Sequence, residues 1–272
     1  MKHYCNSFTK SIWKFFFFLM IEKLSKAGSG FSNTNIIFAD INHKYMFSSL
    51  KMFYSTVGRK LVMALTGLFL CVFLLEHLYG NLLLYKMDGG KAFNDYTEFL
   101  TGNIIIRTIE YVLFGSFIIH ALYALLLTIA NSRARPVGYK VNRQSQSSTW
   151  FSRNMGLTGS IIFVFLVIHL KEFFFAHRFG GEKELMSVSV AHSFSVAWYS
   201  ALYIISMVFL GVHLNHGFQS AFQTLGWNNH KYHQMLKYAG ASFAMIIMVG
   251  YATFPIIFYF DLFGVSSNIL GR

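Results

Sequence analysis

Residues 65–78 read LTGLFLCVFLLEHL, and residues 157–170 read LTGSIIFVFLVIHL. Leu-Thr-Gly, then Val-Phe-Leu, then His-Leu recur at identical spacing in the two stretches. Each stretch is continuously apolar apart from its Thr, its His and, in the first, Glu76 and, in the second, Ser160. Val-Phe-Leu recurs by chance in apolar helices; a Thr-Gly pair ten residues before a histidine, found twice, is a stronger sign of an internal repeat. The runs that contain these stretches are long enough, at about 1.5 Å per residue, to cross a bilayer core of about 30 Å.

Composition agrees. Only 12% of the 272 residues are charged while 54% are hydrophobic, against about a quarter charged in a soluble domain. The formal net charge of +12 does not indicate a nucleic-acid binder. That reading needs a basic face on a soluble domain, and here the basic residues fall between apolar runs, where membrane orientation signals sit. Cys5 and Cys71 lie far apart, which excludes a disulfide framework or zinc spacing.

Five apolar runs, at 61–85, 104–130, 157–175, 194–218 and 239–260, predict five transmembrane helices. Alternation of the barrel type is missing, so the expected fold class is an all-α membrane protein. Arg59 and Lys60 precede the first run; Arg133, Arg135, Lys140, Arg143 and Arg153 fill the second connection without an acidic residue. Lys231 and Lys237 lie in the fourth connection, whereas the first and third mix both signs. The positive-inside bias then puts the N-terminal end of the first helix in the cytoplasm and the C-terminus outside. Residues 1–50 hold an apolar run too short to span, and are expected to be a disordered extension or a start-site artefact ahead of Met46 or Met52. Residues 51–265 form the expected five-helix domain, and 266–272 a short external tail.

Helices one to four each carry a deep histidine. His77 lies roughly 27 Å from Arg59 along its helix and His169 roughly 24 Å from Arg153, both toward the outer side. His120 and His213 each lie roughly 16 Å from the inner ends of their helices. The four split into two levels, and each level takes one histidine from each half of a parallel two-helix repeat. An ionisable residue in a bilayer faces the bundle interior or a partner. A lone histidine there most simply makes a hydrogen bond to a neighbouring helix; four in a repeated pattern suggest more. Two imidazoles facing each other at one depth suit six-coordinate haem iron. The Glu and Glu-x-x-His set of a di-iron bundle is missing, and a zinc site would gather its ligands at one depth. Two stacked bis-histidine b-type haems fit best, with the four histidines as axial ligands of the iron. His213 and His216 compete for the fourth place, being one helical turn apart. Gly217, four residues after His213, would let a flat ring approach the backbone and favours His213.

With His77, His120, His169 and His213 at these levels, and the run HLNHGFQSAFQTLGW from His213 to Trp227, the chain resembles the dihaem cytochrome b membrane anchor of succinate dehydrogenase and fumarate reductase in its bacterial single-anchor form. Gly58-Arg59-Lys60-Leu61 and Leu65-Thr66-Gly67 are similar to that subunit's opening, and the resemblance covers about residues 53–259. It implies that His77 and His169 bind an outer haem b, and His120 and His213 an inner one. It implies docking of an iron–sulfur subunit, itself carrying an FAD-containing flavoprotein, on the cytoplasmic face of a bacterial inner membrane. Electron transport between that subunit and a quinone, expected to be menaquinone, would then tie the chain to the tricarboxylic acid cycle, with no succinate-converting residue of its own. Glu98, about twenty residues after His77, takes the place of a quinone-proximal acid in some members, with Glu76 and Glu172 as other proton carriers. A glutamate two residues before the fourth ligand in some fumarate-reducing relatives is Gly211 here, which tilts the expectation toward succinate oxidation. Two other readings stay open: a formate dehydrogenase or hydrogenase cytochrome b, whose partners dock outside, and a transporter whose histidines only make hydrogen bonds.

Overall fold

The computed structural model describes residues 55–133, 154–180, 184–227 and 231–272. The expectations for residues 1–50, for Arg135, Lys140, Arg143 and Arg153, and for His230 fall outside them. Helix α1, Thr56–Leu82, ends in a 3₁₀ turn at Leu83–Tyr85, and α2, Lys91–Gly102, follows. Next come α3, Ile104–Arg133, and α4, Met155–His169; α4 continues through a π-helical stretch, Leu170–Phe175, into α5, Ala176–Phe179. Then α6, Met186–Phe194, α7, Ala197–Thr224, and α8, His233–Tyr259, lead through a 3₁₀ turn to α9, Val265–Leu270. Five of these segments, Thr56–Tyr85, Ile104–Arg133, Met155–Phe179, Ala197–Thr224 and His233–Tyr259, are long and apolar enough to cross a membrane.

Three elements go beyond the expected five. The fourth run, read from 194, begins at Ala197, because Phe194 closes the separate helix α6. Residues 265–270 form a short helix with Val265, Ser266 and Ile269 buried, in place of a loose tail. The connection after α1 folds as α2, whose apolar residues cluster on one face. These short helices meet at one end of the bundle. Asn94 in α2 donates from Nδ2 to Ser187 Oγ in α6 at 2.9 Å and accepts from the Ser187 amide at 3.1 Å. The Gly89 amide donates to Asn268 Oδ1 of α9 at 2.8 Å. Gly90 has φ 79°, and a Cβ there would stand 2.6 Å from Ser187; both facts demand glycine at this corner. The first and third connections and the C-terminus therefore share one face, as the charge pattern required.

Helix α7 is the hub, packing on α8, α1 and α4, while α1 also packs on α3. Lipid gives helices no hydrophobic reason to associate, so close approach at small residues matters. Gly211 of α7 admits Met248, and Gly250 of α8 admits Leu78 of α1; a Cβ at either would come within 2.9 Å of these side chains. Tyr203, Met207 and Leu214 of α7 and Ile247, Phe254 and Phe258 of α8 are buried. Helix α3 has no buried residue.

Candidate functional site

The outer histidines come together. The rings of His77 on α1 and His169 at the end of α4 have centroids 5.8 Å apart with planes at 87°. Each leans on the aromatic residue one turn before it: Phe73 stacks on His77 at 5.2 Å and Phe165 on His169 at 5.8 Å. Tyr203 of α7 bonds His169 Nδ1 through its hydroxyl at 3.0 Å, and Tyr199 bonds that same hydroxyl at 3.0 Å. Tyr251 of α8 lies 5.8 Å from the His77 ring. The π-helical stretch begins at the residue after His169; such wide turns cluster at functional sites, and nothing in the sequence pattern announces this one.

At the inner level, Thr66 Oγ1 lies 3.2 Å from His120 Nδ1, and Thr158 Oγ1 lies 3.3 Å from His213 Nδ1. A Cβ on Gly67 would stand 3.2 Å from His120 Cε1, and one on Gly159 would stand 3.4 Å from His213 Cε1. The repeated Thr-Gly is thus the seat of the next helix's histidine in both halves. An interhelical hydrogen bond in a membrane averages about 0.6 kcal/mol, so these two contacts add little to helix association.

The donor set fits a haem. Metal–imidazole bonds of about 2 Å put the centroids of two rings in trans on one metal about 6 Å apart, and the outer pair meets that spacing. A Cβ on Gly217 would meet nothing within 4 Å, so the helix is bare where a flat ring was expected to approach. No group of three or more His, Cys, Asp or Glu side chains is placed to hold a bare metal ion among the described residues. Comparison with protein families, with curated proteins and with solved structures finds no match.

The three carboxylates have different surroundings. Glu98 is exposed on α2 and lines an open hollow of about 590 Å³ with Asp95, Phe99, Gly102 and Asn103. Glu76, beside His77, accepts a hydrogen bond at 2.7 Å from Tyr96, also on α2. Gly80 makes room for that tyrosine, whose ring would lie 2.7 Å from a Cβ there. Burial, then the bond to Glu76 and its charge, push the Tyr96 phenol above its ordinary range. Sequence reading passed over Tyr96, since a loop tyrosine carries no signal until α2 folds back on α1. Glu172 is exposed in the π stretch. Other histidines lie near helix ends: His192 Nδ1 lies 3.2 Å from Glu184, His177 Nε2 bonds the Glu184 carbonyl at 3.1 Å, and His233 opens α8.

Proposed function

We propose that this chain is the membrane anchor and dihaem cytochrome b subunit of a succinate:quinone oxidoreductase. The observation that carries the reading is the meeting of the His77 and His169 rings, drawn from opposite halves of the repeat, with the Nδ1 atoms of His120, His169 and His213 each in reach of a hydroxyl. His77 and His169 hold the outer haem, and His120 and His213 the inner one. When bound, the haems supply the one-electron chemistry that links an iron–sulfur partner to a quinone. The chain itself orients four imidazoles, excludes water from them with aromatic side chains, and offers carboxylates beside the outer level. Glu98 faces its hollow as the group that exchanges a proton with a quinone such as menaquinone, and Glu76 with Tyr96 is a second proton carrier nearby. The iron–sulfur and FAD-containing subunits dock on the face opposite the α2–α6–α9 end, where α3 ends at Arg133 and α4 begins at Met155. That face is cytoplasmic under the positive-inside bias.

The test is a pyridine haemochromogen assay on the purified complex, with two haems b per chain expected. A haem-free chain would sink the proposal. A haem-bearing chain whose soluble partners sit on the other face of the membrane would reassign it to the formate dehydrogenase or hydrogenase type. Glu98→Gln is expected to lower quinone-coupled turnover at least tenfold, and unchanged turnover removes Glu98 from the site.

A further inference from the structure

Thr66 and Thr158 ligate nothing, yet each reaches across to the inner histidine of the next helix. The Thr66 hydroxyl donates its hydrogen to the Val62 carbonyl at 2.7 Å, with the Met63 carbonyl at 3.2 Å. The Thr158 hydroxyl donates to the Met155 carbonyl at 3.1 Å. A hydroxyl has one hydrogen and two lone pairs. In each case the nearer acceptor for that hydrogen is a carbonyl of its own helix, at 2.7 Å against 3.2 Å for Thr66 and 3.1 Å against 3.3 Å for Thr158, which leaves a lone pair to face the imidazole.

We propose that Thr66 and Thr158 are positioning residues that lock His120 and His213 in the Nδ1–H tautomer, so that each ring presents a bare Nε2 to the inner haem iron. Gly67 and Gly159 complete the device by letting Cε1 of each ring come down onto the opposing helix. The inference rests on the haem reading for its consequence; the tautomer stands or falls separately. A partner on the second ring nitrogen fixes the tautomer and raises the basicity of the ligand, and a more basic ligand favours ferric iron. Losing such a partner typically costs ten- to a hundredfold in affinity or activity.

Thr66→Val and Thr158→Val keep the shape of the side chain and remove its acceptor; Thr66→Ser and Thr158→Ser keep the acceptor. In the intact complex, each Val variant is expected to bind the inner haem about tenfold more weakly. Each is also expected to shift the inner ferric/ferrous balance toward ferrous by about tenfold, or about 59 mV upward for one electron. The outer haem should not change, and the Ser variants should match the wild type. A role confined to holding helices together predicts loss at both levels with no shift in potential, and that result overturns the proposal, as does a Val variant with unchanged inner-haem content and potential. ¹⁵N NMR of histidine-labelled full-length chain in lipid without haem reads the tautomer directly. Nδ1–H at His120 and His213, lost at His120 in Thr66→Val, supports the lock, and Nε2–H at both overturns it. Failure of the haem reading shows instead as a wild-type complex without haem.

Discussion

The two histidine levels come from one repeat but are held in different ways. The inner rings rest on short side chains, Thr66 with Gly67 and Thr158 with Gly159, at matching places in the two halves. The outer rings depend on long side chains from other helices, and those supports are not symmetric. His169 is bonded by Tyr203, which lies ten residues before His213; the residue ten before His120 is Glu110. His77 instead has Tyr251 of α8 beside it, from the helix outside the repeat. Local supports can be copied when a helix pair is duplicated, because they need only the helices that carry them. Supports from a fifth helix cannot, since it meets one half differently from the other.

Substitutions that separate the levels should have the largest effects. His120→Ala or His213→Ala is expected to cut haem from two per chain to one, keeping the outer spectrum, and His77→Ala or His169→Ala the reverse. His216→Ala retaining both haems would sustain the choice of His213; loss of one haem there, with both kept in His213→Ala, would reverse it. Next comes Gly67→Ala, whose Cβ would stand 3.2 Å from His120 against 3.4 Å for Gly159→Ala at His213. Both should deplete only the inner haem, Gly67→Ala more strongly. If they are equal or affect both levels, the inner seats are not the local devices described.

Tyr203→Phe tests the asymmetry. It should perturb only the outer haem, by no more than about tenfold in affinity, since the ring still packs and only the bond to His169 is lost. The smallest effect concerns the cap over the outer level. Asp261 accepts from both the amide and the hydroxyl of Ser267, and these bonds hold its carboxyl below the ordinary 3.8. A depressed folded pKa means the contribution is present above pH 3.8 and is lost as pH falls through the lower folded value. Protection of the Ser267 amide, taken relative to its intrinsic exchange rate at each pH, should therefore be high and steady above about pH 4 and fall below it, with Asp261→Asn low throughout. Protection that is unchanged at low pH would show that α9 is held by packing alone.

Much of the fold was legible because lipid simplifies the rules: length and apolarity define a span, and basic residues sort the connections. The span at 104–130 falls within three residues of α3 at both ends, whereas the run from 239 misses the first turns of α8, which begins at His233, because those turns are polar. Phe194 was misassigned to the fourth span because an apolar run does not show where the chain turns between α6 and α7. Glu98 was legible only by resemblance, and Tyr96 not at all, because its bond to Glu76 exists only once α2 lies against α1.

Sequence alone determined that this is a helical chain with five potential spans, a repeated half and four deep histidines, since these follow from composition, spacing and helical rise. Only the tertiary structure decided what touches each ring: threonine below, tyrosine above, and glycine where a methyl group would not fit. Those contacts join residues 34 or more positions apart, and hydrogen-bond reach of about 3 Å cannot be read from spacing along a chain.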